Sequence, residues 1–367
     1  ELTAWTAAYR DGVDAAMAAD GYPMSPYVSF RMWHDPTSGL KGGAATPRFS
    51  QGYTAIQNRP GLLVETHMLK PYAVRVESAL RLVIHTLRWC GERAPELRRL
   101  VGAADARAAS AAFRAEPFPL SFRSDGDSTL IDFLGVEMEE VPSDVTGGTY
   151  FRYSDRPATW RIPYFDSLEP ATVAALPAAY LVPPAWTEAL DRLAAHGIAF
   201  TRLTEPREVA VRSWRLTNPA WGQAPYEGHH TVTFTAEPET GVRTFPAGTA
   251  VVGLDQRAAR VIAHLLEPKA PDSLVQWGYF DPIFERVEYV ESYVIEQMIP
   301  QLLADNPEWE AELNAAKAAN PDFAADPWAI RYWFYARTPY YDDRVGLYPI
   351  ASIDDESIYR DLINKSR

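Results

Sequence analysis

Apolar residues recur along this chain at two spacings, one helical and one of period two, and their order sketches an architecture. Trp5 to Ala19 reads as a helix that Gly21 stops. Tyr27 to Phe30 is a short strand candidate, and His34 to Gly52, rich in Gly, Pro, Ser and Thr, is expected to form a long mobile loop. Leu62-Leu63-Val64 is a compact apolar run of the kind that fills a buried strand. Pro71 suits the first turn of a following helix, on which Val76, Leu80, Val83 and Leu87 share one face. Strand, loop, strand and helix are the grammar of an α/β layer. With so few strands, residues 1–103 are expected to be the closing part of an α/β domain.

Residues 104–268 change period. Thr231, Thr233 and Thr235 alternate with Val232 and Phe234, and Val209 and Val211 fall on one side of Glu208 to Ser213, as half-buried strands require. Turn signals at Asp125-Gly126, Gly147-Gly148 and Thr240-Gly241 punctuate the segment. Within it, Tyr180-Leu181-Val182, a helix from Pro184 that Gly197 closes, and Ile198 to Phe200 read as strand, helix, strand. Residues 269–367 read as helical. Ile283, Val287, Val290, Val294 and Met298 make one stripe before Pro300 interrupts it, and Trp328, Tyr332 to Tyr335, Tyr340 and Tyr341 are expected to anchor helices to one another. The fold class is therefore an α/β remnant, then a β-rich (α+β) domain, then a helical C-terminal segment.

Composition narrows the function. The chain has 367 residues, 47% of them apolar, enough for two or three domains with sizeable cores. It carries 35 basic against 48 acidic residues, a net charge of −13, which argues against phosphate-neutralising nucleic-acid binding. No stretch has the apolar length of a membrane span. The start at Glu1, without Met or a basic patch, leads us to expect further polypeptide upstream. Cys90 is the single cysteine; it excludes an internal disulfide framework and leaves the compartment open.

Three places could carry chemistry. His264-Leu265-Leu266-Glu267 has the spacing with which two side chains grip zinc, but no histidine follows to complete three ligands, and the run is apolar enough for both residues to be packing positions. Neighbouring His229 and His230 would face opposite sides of a strand. Glu65 differs. A carboxylate directly after an apolar strand is costly unless it stands at the strand's exit, where ligands of α/β sheets bind. There it can serve as a general acid or base, the alternative being a salt bridge to Lys70 or Arg75. His67 and His34 could line a cleft near it.

The stretch Asn58-Arg59-Pro60-Gly61-Leu62-Leu63-Val64-Glu65-Thr66-His67-Met68-Leu69-Lys70, with Arg75-Val76 after it, resembles the segment around the catalytic glutamate of bacterial zinc carboxypeptidase-like proteins in the carboxypeptidase A superfamily. Ala179 to Pro183, Ala195 to Ile198, Leu266 to Pro268, and Asp272 to Gly278 resemble the long C-terminal extensions of that group. The resemblance implies a mixed sheet flanked by helices and a peptide substrate cut at its C-terminus. It implies a zinc ion held by a His-x-x-Glu pair and a later histidine, all upstream of the glutamate, so that an N-terminal catalytic half is missing here. Glu65 then corresponds to the general base and acid, Tyr53 to a substrate-contacting tyrosine, and Arg59 to a candidate partner for the substrate carboxylate. The family's own Asn-Arg motif lies elsewhere, which keeps open a plain turn role for Asn58-Arg59. His67 completes the candidate substrate contacts, and a periplasmic or secreted location is expected alongside the cytoplasmic alternative. The rival expectation is a non-catalytic accessory module that binds peptide or glycan.

Overall fold

The front of the chain is helical where its periodicity asks for it. In the computed structural model, which describes residues 1–285 and 288–365, α1 (Leu2–Ala19) buries Trp5, Tyr9, Val13 and Met17 along one face. Gly21, at φ +86°, ends it in the left-handed region that only glycine adopts freely. Then come β1 (Phe30–Met32), β2 (Asp35–Lys41), α2 (Ser50–Ile56), α3 (Tyr72–Glu92), α4 (Ala94–Ala108) and the single turn α5 (Ala111–Arg114). Leu82, Trp89 and Cys90 of α3 and Leu97 and Leu100 of α4 pack with the buried face of α1.

Two expectations for this region are corrected. His34 to Gly52 is not one long loop: β2 and the start of α2 occupy much of it. Leu40, fully buried with Phe133 and Ile162, supplies an apolar anchor that the polar composition around it conceals. Leu62-Leu63-Val64 is not a buried strand: it lies in no strand of any sheet, and all three side chains are exposed. The α3 face carrying Val76, Leu80, Val83 and Leu87 is exposed as well. The helix forms, but the face that periodicity marks for burial is not the face packed on α1.

The β-rich middle comprises β3 (Phe118–Ser124), β4 (Thr129–Pro142), β5 (Thr149–Phe165), β6 (Leu168–Ala174), β7 (Ala179–Val182), α6 (Thr187–Ala195), β8 (Thr201–Arg202), β9 (Arg207–Trp221), β10 (Val232–Phe245), β11 (Ala250–Gly253) and α7 (Ala259–Leu266). A four-stranded sheet runs in the order β1-β2-β5-β4, and β3 pairs with β6. The period-two segments hold: Val209, Val211 and Val232 are buried while Thr233 and Thr235 are exposed.

The remaining elements are α8 (Ser292–Asp305), α9 (Glu308–Ala319), α10 (Pro321–Ala325), α11 (Pro327–Tyr335), β12 (Ala351–Ile353) and α12 (Glu356–Lys365). The expected stripe from Ile283 is corrected too. Ile283 sits in a 3-10 turn, Val287 lies outside the described residues, and the helix begins at Ser292 and runs through Pro300. A helical proline forfeits one backbone hydrogen bond. Here Ile295, Met298, Leu302 and Leu303 pack around Leu313, Phe334 and Tyr335, which compensates. Nor is the C-terminal segment wholly helical. Strand β12 enters a six-stranded sheet ordered β10-β9-β12-β7-β11-β8, paired antiparallel to β7 and, through Ser352 and Arg212, to β9.

Two units divide the chain, and they cut across the three expected segments. One comprises residues 1–212, 240–279 and 350–367; the other comprises 213–239 and 280–349. The first has a core around Leu181, Val209, Val211, Phe245, Val251 and Ile353. The second has its core around Ile295, Leu313, Phe334 and Tyr335, with Trp328 and Tyr340 of the aromatic group facing solvent.

Candidate functional site

The four residues singled out for chemistry lie within one short stretch that α2 opens, all in the larger unit. Asn58, buried and at φ +58°, turns the chain out of α2. Gly61 passes so close to Thr54 that a Cβ there would collide with the threonine hydroxyl. From Leu62 to His67 the chain belongs to no helix or strand and is exposed, up to the turn that precedes α3.

Tyr53 and Arg59 are engaged within the chain. The Tyr53 hydroxyl is 2.8 Å from His196 Nδ1 and accepts a 2.8 Å hydrogen bond from the Gln57 amide. Burial, and secondarily the charge of Arg192, lowers the His196 pKa, favouring a neutral ring beside the phenol. Arg257 donates to Gln57 and, through its carbonyl, accepts from Asn58. Arg59 forms a two-pronged pair with Asp105 of α4 at 2.8 and 2.9 Å, and Asn58 donates to the same carboxylate. Burial works against the charge on Asp105, but the bonds from Arg59 and Asn58 outweigh it and hold its pKa below the ordinary value. Both forks of the guanidinium are thus committed. This network clamps the turn onto α4 and onto the end of α6. Nothing in the sequence marked Asp105, His196 and Arg257 as partners of this stretch, because each meets it across dozens of residues with no motif spacing.

Glu65 and His67 emerge beyond the clamp. Glu65 is exposed and makes neither an ion pair nor a hydrogen bond among the described residues, so the expected alternative of a salt bridge to Lys70 or Arg75 is not formed. His67 is exposed, and its Nδ1 accepts from the Leu69 amide at 3.2 Å. His34 sits apart on the four-stranded sheet, stacked on Phe151 with ring centroids 4.1 Å apart and hydrogen-bonded to Tyr153.

The His-x-x-Glu pair is buried. Tyr180 donates a 2.5 Å hydrogen bond to Glu267, whose pKa burial raises in spite of that bond and of the nearby Arg212 charge. His264 packs edge-on against Phe118, and its Nδ1 has no hydrogen-bond partner among the described residues. Burial pushes its pKa down to about 4. No third ligand joins the pair: among the described residues no group of three His, Cys, Asp or Glu side chains is placed to hold a metal. The described residues around His264 and Glu267 therefore do not make up a zinc site. His230 points its Nδ1 at the Gly222 carbonyl, 2.7 Å away. A groove of about 410 Å3 between β9 and α12 is lined by Arg207, Val209, Ser357, Asp361, Leu362 and Lys365, none of them a candidate residue. No helix among the described residues is long and apolar enough to cross a membrane.

Part of this chain is similar to known carboxypeptidases. It is 30% identical over 112 residues to carboxypeptidase 2 of Trichophyton rubrum, covering 30% of this chain and 20% of that protein. It is 32% identical over 104 residues to carboxypeptidase 2 of Trichophyton tonsurans, covering 28% of this chain and 19% of the relative, and Trichophyton equinum has a match of the same extent. The chain thus spans about a fifth of the length of the curated relatives it matches. No family model matches it, and no solved structure does.

Proposed function

We propose that this chain is part of a metallocarboxypeptidase-like enzyme that hydrolyses peptide bonds at substrate C-termini, and that Glu65 is its general base and acid. One observation carries the reading: a carboxylate stands exposed and unpaired on an apolar segment outside any helix or strand, whose root is clamped by the Arg59–Asp105 and Tyr53–His196 contacts. The partial similarity to carboxypeptidases supports it. In such a reaction the carboxylate takes a proton from the attacking water and returns it to the leaving amine. Exposed His67 stands near enough in sequence to contact the same substrate. Tyr53 and Arg59 position the segment. Zinc, in this proposal, is held by ligands on polypeptide outside this chain.

The test is Glu65→Gln in the longer gene product, assayed on a blocked dipeptide. The expected result is a fall in kcat of at least about a hundredfold with KM little changed, the size general acid–base catalysis commonly supplies. Unchanged kcat would overturn the assignment. This chain by itself is expected to hydrolyse nothing.

A second reading, a non-catalytic module binding peptide or glycan, draws on one feature. Trp33 is 74% exposed beside His34 and Tyr153 on the four-stranded sheet, an aromatic surface suited to stacking. Glycan or peptide binding that Trp33→Ala abolishes, without any peptidase activity in the longer protein, would favour it.

A further inference from the structure

Arg114 and Arg212, whose side chains are 9% and 19% exposed, each meet a carboxylate, Glu356 and Asp354 respectively. Arg260, in the first turn of α7, does not. It lies half-buried, its guanidinium carbon 5.0 Å from the centre of the Phe113 ring. Among the described residues it makes no hydrogen bond and no ion pair, and its Nε is closed off from solvent. Burial, and then the charge of Arg107, lowers its pKa from the ordinary arginine value. A charge taken out of water without a partner is costly, and a bound counter-charge removes that cost.

A second unsatisfied nitrogen stands one turn further along the helix. His264 is only 6% exposed and packs edge-on against Phe118, and its Nδ1 is buried without a hydrogen-bond partner among the described residues. Residues four apart share a helix face, with Cβ atoms about 5–6 Å apart. This face meets one aromatic wall, because Phe113 and Phe118 themselves touch edge to face at 5.7 Å. The two side chains are close enough for the charge of Arg260 to act on His264. The carboxylates nearby are already engaged: Glu116 holds Arg107 at 2.6 Å, and Asp272 pairs with Arg48.

The chemistry of the two nitrogens selects the ligand. A water molecule could bond to both but brings no charge. Chloride brings charge but a single acceptor centre. A carboxylate or phosphate group neutralises the guanidinium, and its separate oxygens accept from the Arg260 Nε–H and from His264 when the ring proton is on Nδ1. We propose that Arg260 and His264, with Arg107 beside them, form a binding site for a single oxyanion, a carboxylate or phosphate group. None of these residues belongs to the machinery assigned around Glu65, so the site stands or falls separately from it.

The full chain, isotopically labelled, is titrated with sodium phosphate, sodium acetate and sodium chloride at matched ionic strength, while NMR follows the Arg260 Nε–H and the His264 ring. Saturable shifts of both groups are expected. Shifts with phosphate alone identify a phosphate ligand, shifts with acetate alone a carboxylate, and shifts with both the chemistry the two share. Arg260→Met, which keeps the length of the side chain over Phe113, is expected to weaken binding by calorimetry at least about tenfold, the loss of a charge-assisted hydrogen bond. In chloride buffer its thermal midpoint is expected to equal or exceed that of the parent, because an unmatched charge has been removed. His264→Leu is expected to weaken binding by a smaller factor. The proposal is overturned if neither oxyanion shifts these signals beyond what chloride does, the result an ordered water in that place would give. It is equally overturned if Arg260→Met binds as tightly as the parent, or melts well below it in chloride and so shows that the guanidinium is compensated within the chain.

Discussion

At the scale of single residues, burial decides what a titratable group can do. His264 has the sequence neighbours of a zinc ligand, but it lies inside the protein with an unpartnered Nδ1 and a pKa pushed down to about 4. Between pH 4 and the ordinary histidine value near 6.5, the unfolded chain binds a proton that the folded one refuses. Stability from this residue is therefore complete above about 6.5 and is lost as pH falls towards 4, by up to about 3 kcal/mol. Glu267 works in the opposite direction: burial raises its pKa, so its contribution is complete below the unfolded value and is lost as pH rises through the folded one. His264→Leu, close in volume and free of the stranded nitrogen, is expected to flatten the acid-side slope in urea titrations at pH 5 and pH 7. A slope unchanged by the substitution would show that other groups carry it.

At the scale of elements, local pattern and tertiary context part company in instructive places. Gly39 of β2 has φ +88°, and a Cβ there would lie 2.5 Å from the Pro163 carbonyl oxygen of β5. Gly39→Ala is accordingly expected to lower stability by about 1–3 kcal/mol, from backbone strain and overpacking together, measured as a fall in the denaturation midpoint. Nothing in the sequence marked that glycine, because the close approach comes from a strand far away along the chain. The helices were easier to read: α1 falls within the stretch from Trp5 that Gly21 stops, and α3 follows from the recurrence of Val76, Leu80 and Val83. Alternation likewise revealed β9 and β10 through Val209, Val211 and Val232. Leu62 to Val64 mark the limit of such reading. A run of apolar residues records an affinity for burial, and it does not record whether the covering surface belongs to the same chain. The clamp that holds the candidate site was invisible for the same reason, since Asp105 and His196 reach it only through the fold.

At the scale of the whole molecule, the chain divides into two units assembled from separated stretches. The larger unit takes in residues 350–367, and these are structural: Ala351, Ser352 and Ile353 are buried in the sheet, and Tyr359 and Leu362 of α12 belong to its core. Deleting residues 350–367 removes β12 from between β9 and β7 and leaves both with unpaired edges. The expected outcome is loss of the cooperative thermal transition and aggregation on expression, checked by circular dichroism and light scattering. A truncated chain that melted like the parent would show that β9 and β7 can close the gap without their neighbour.

That placement bears on how the protein comes off the ribosome. Strands β7 and β9 emerge long before Ala351 to Ile353 are synthesised, so the growing chain must wait with the seat between them vacant. Contacts so distant in sequence form slowly and leave apolar edges exposed in the meantime. For this molecule the hazardous interval is the period of translation itself, and a chaperone engaged until Ala351 to Ile353 appear would protect it most.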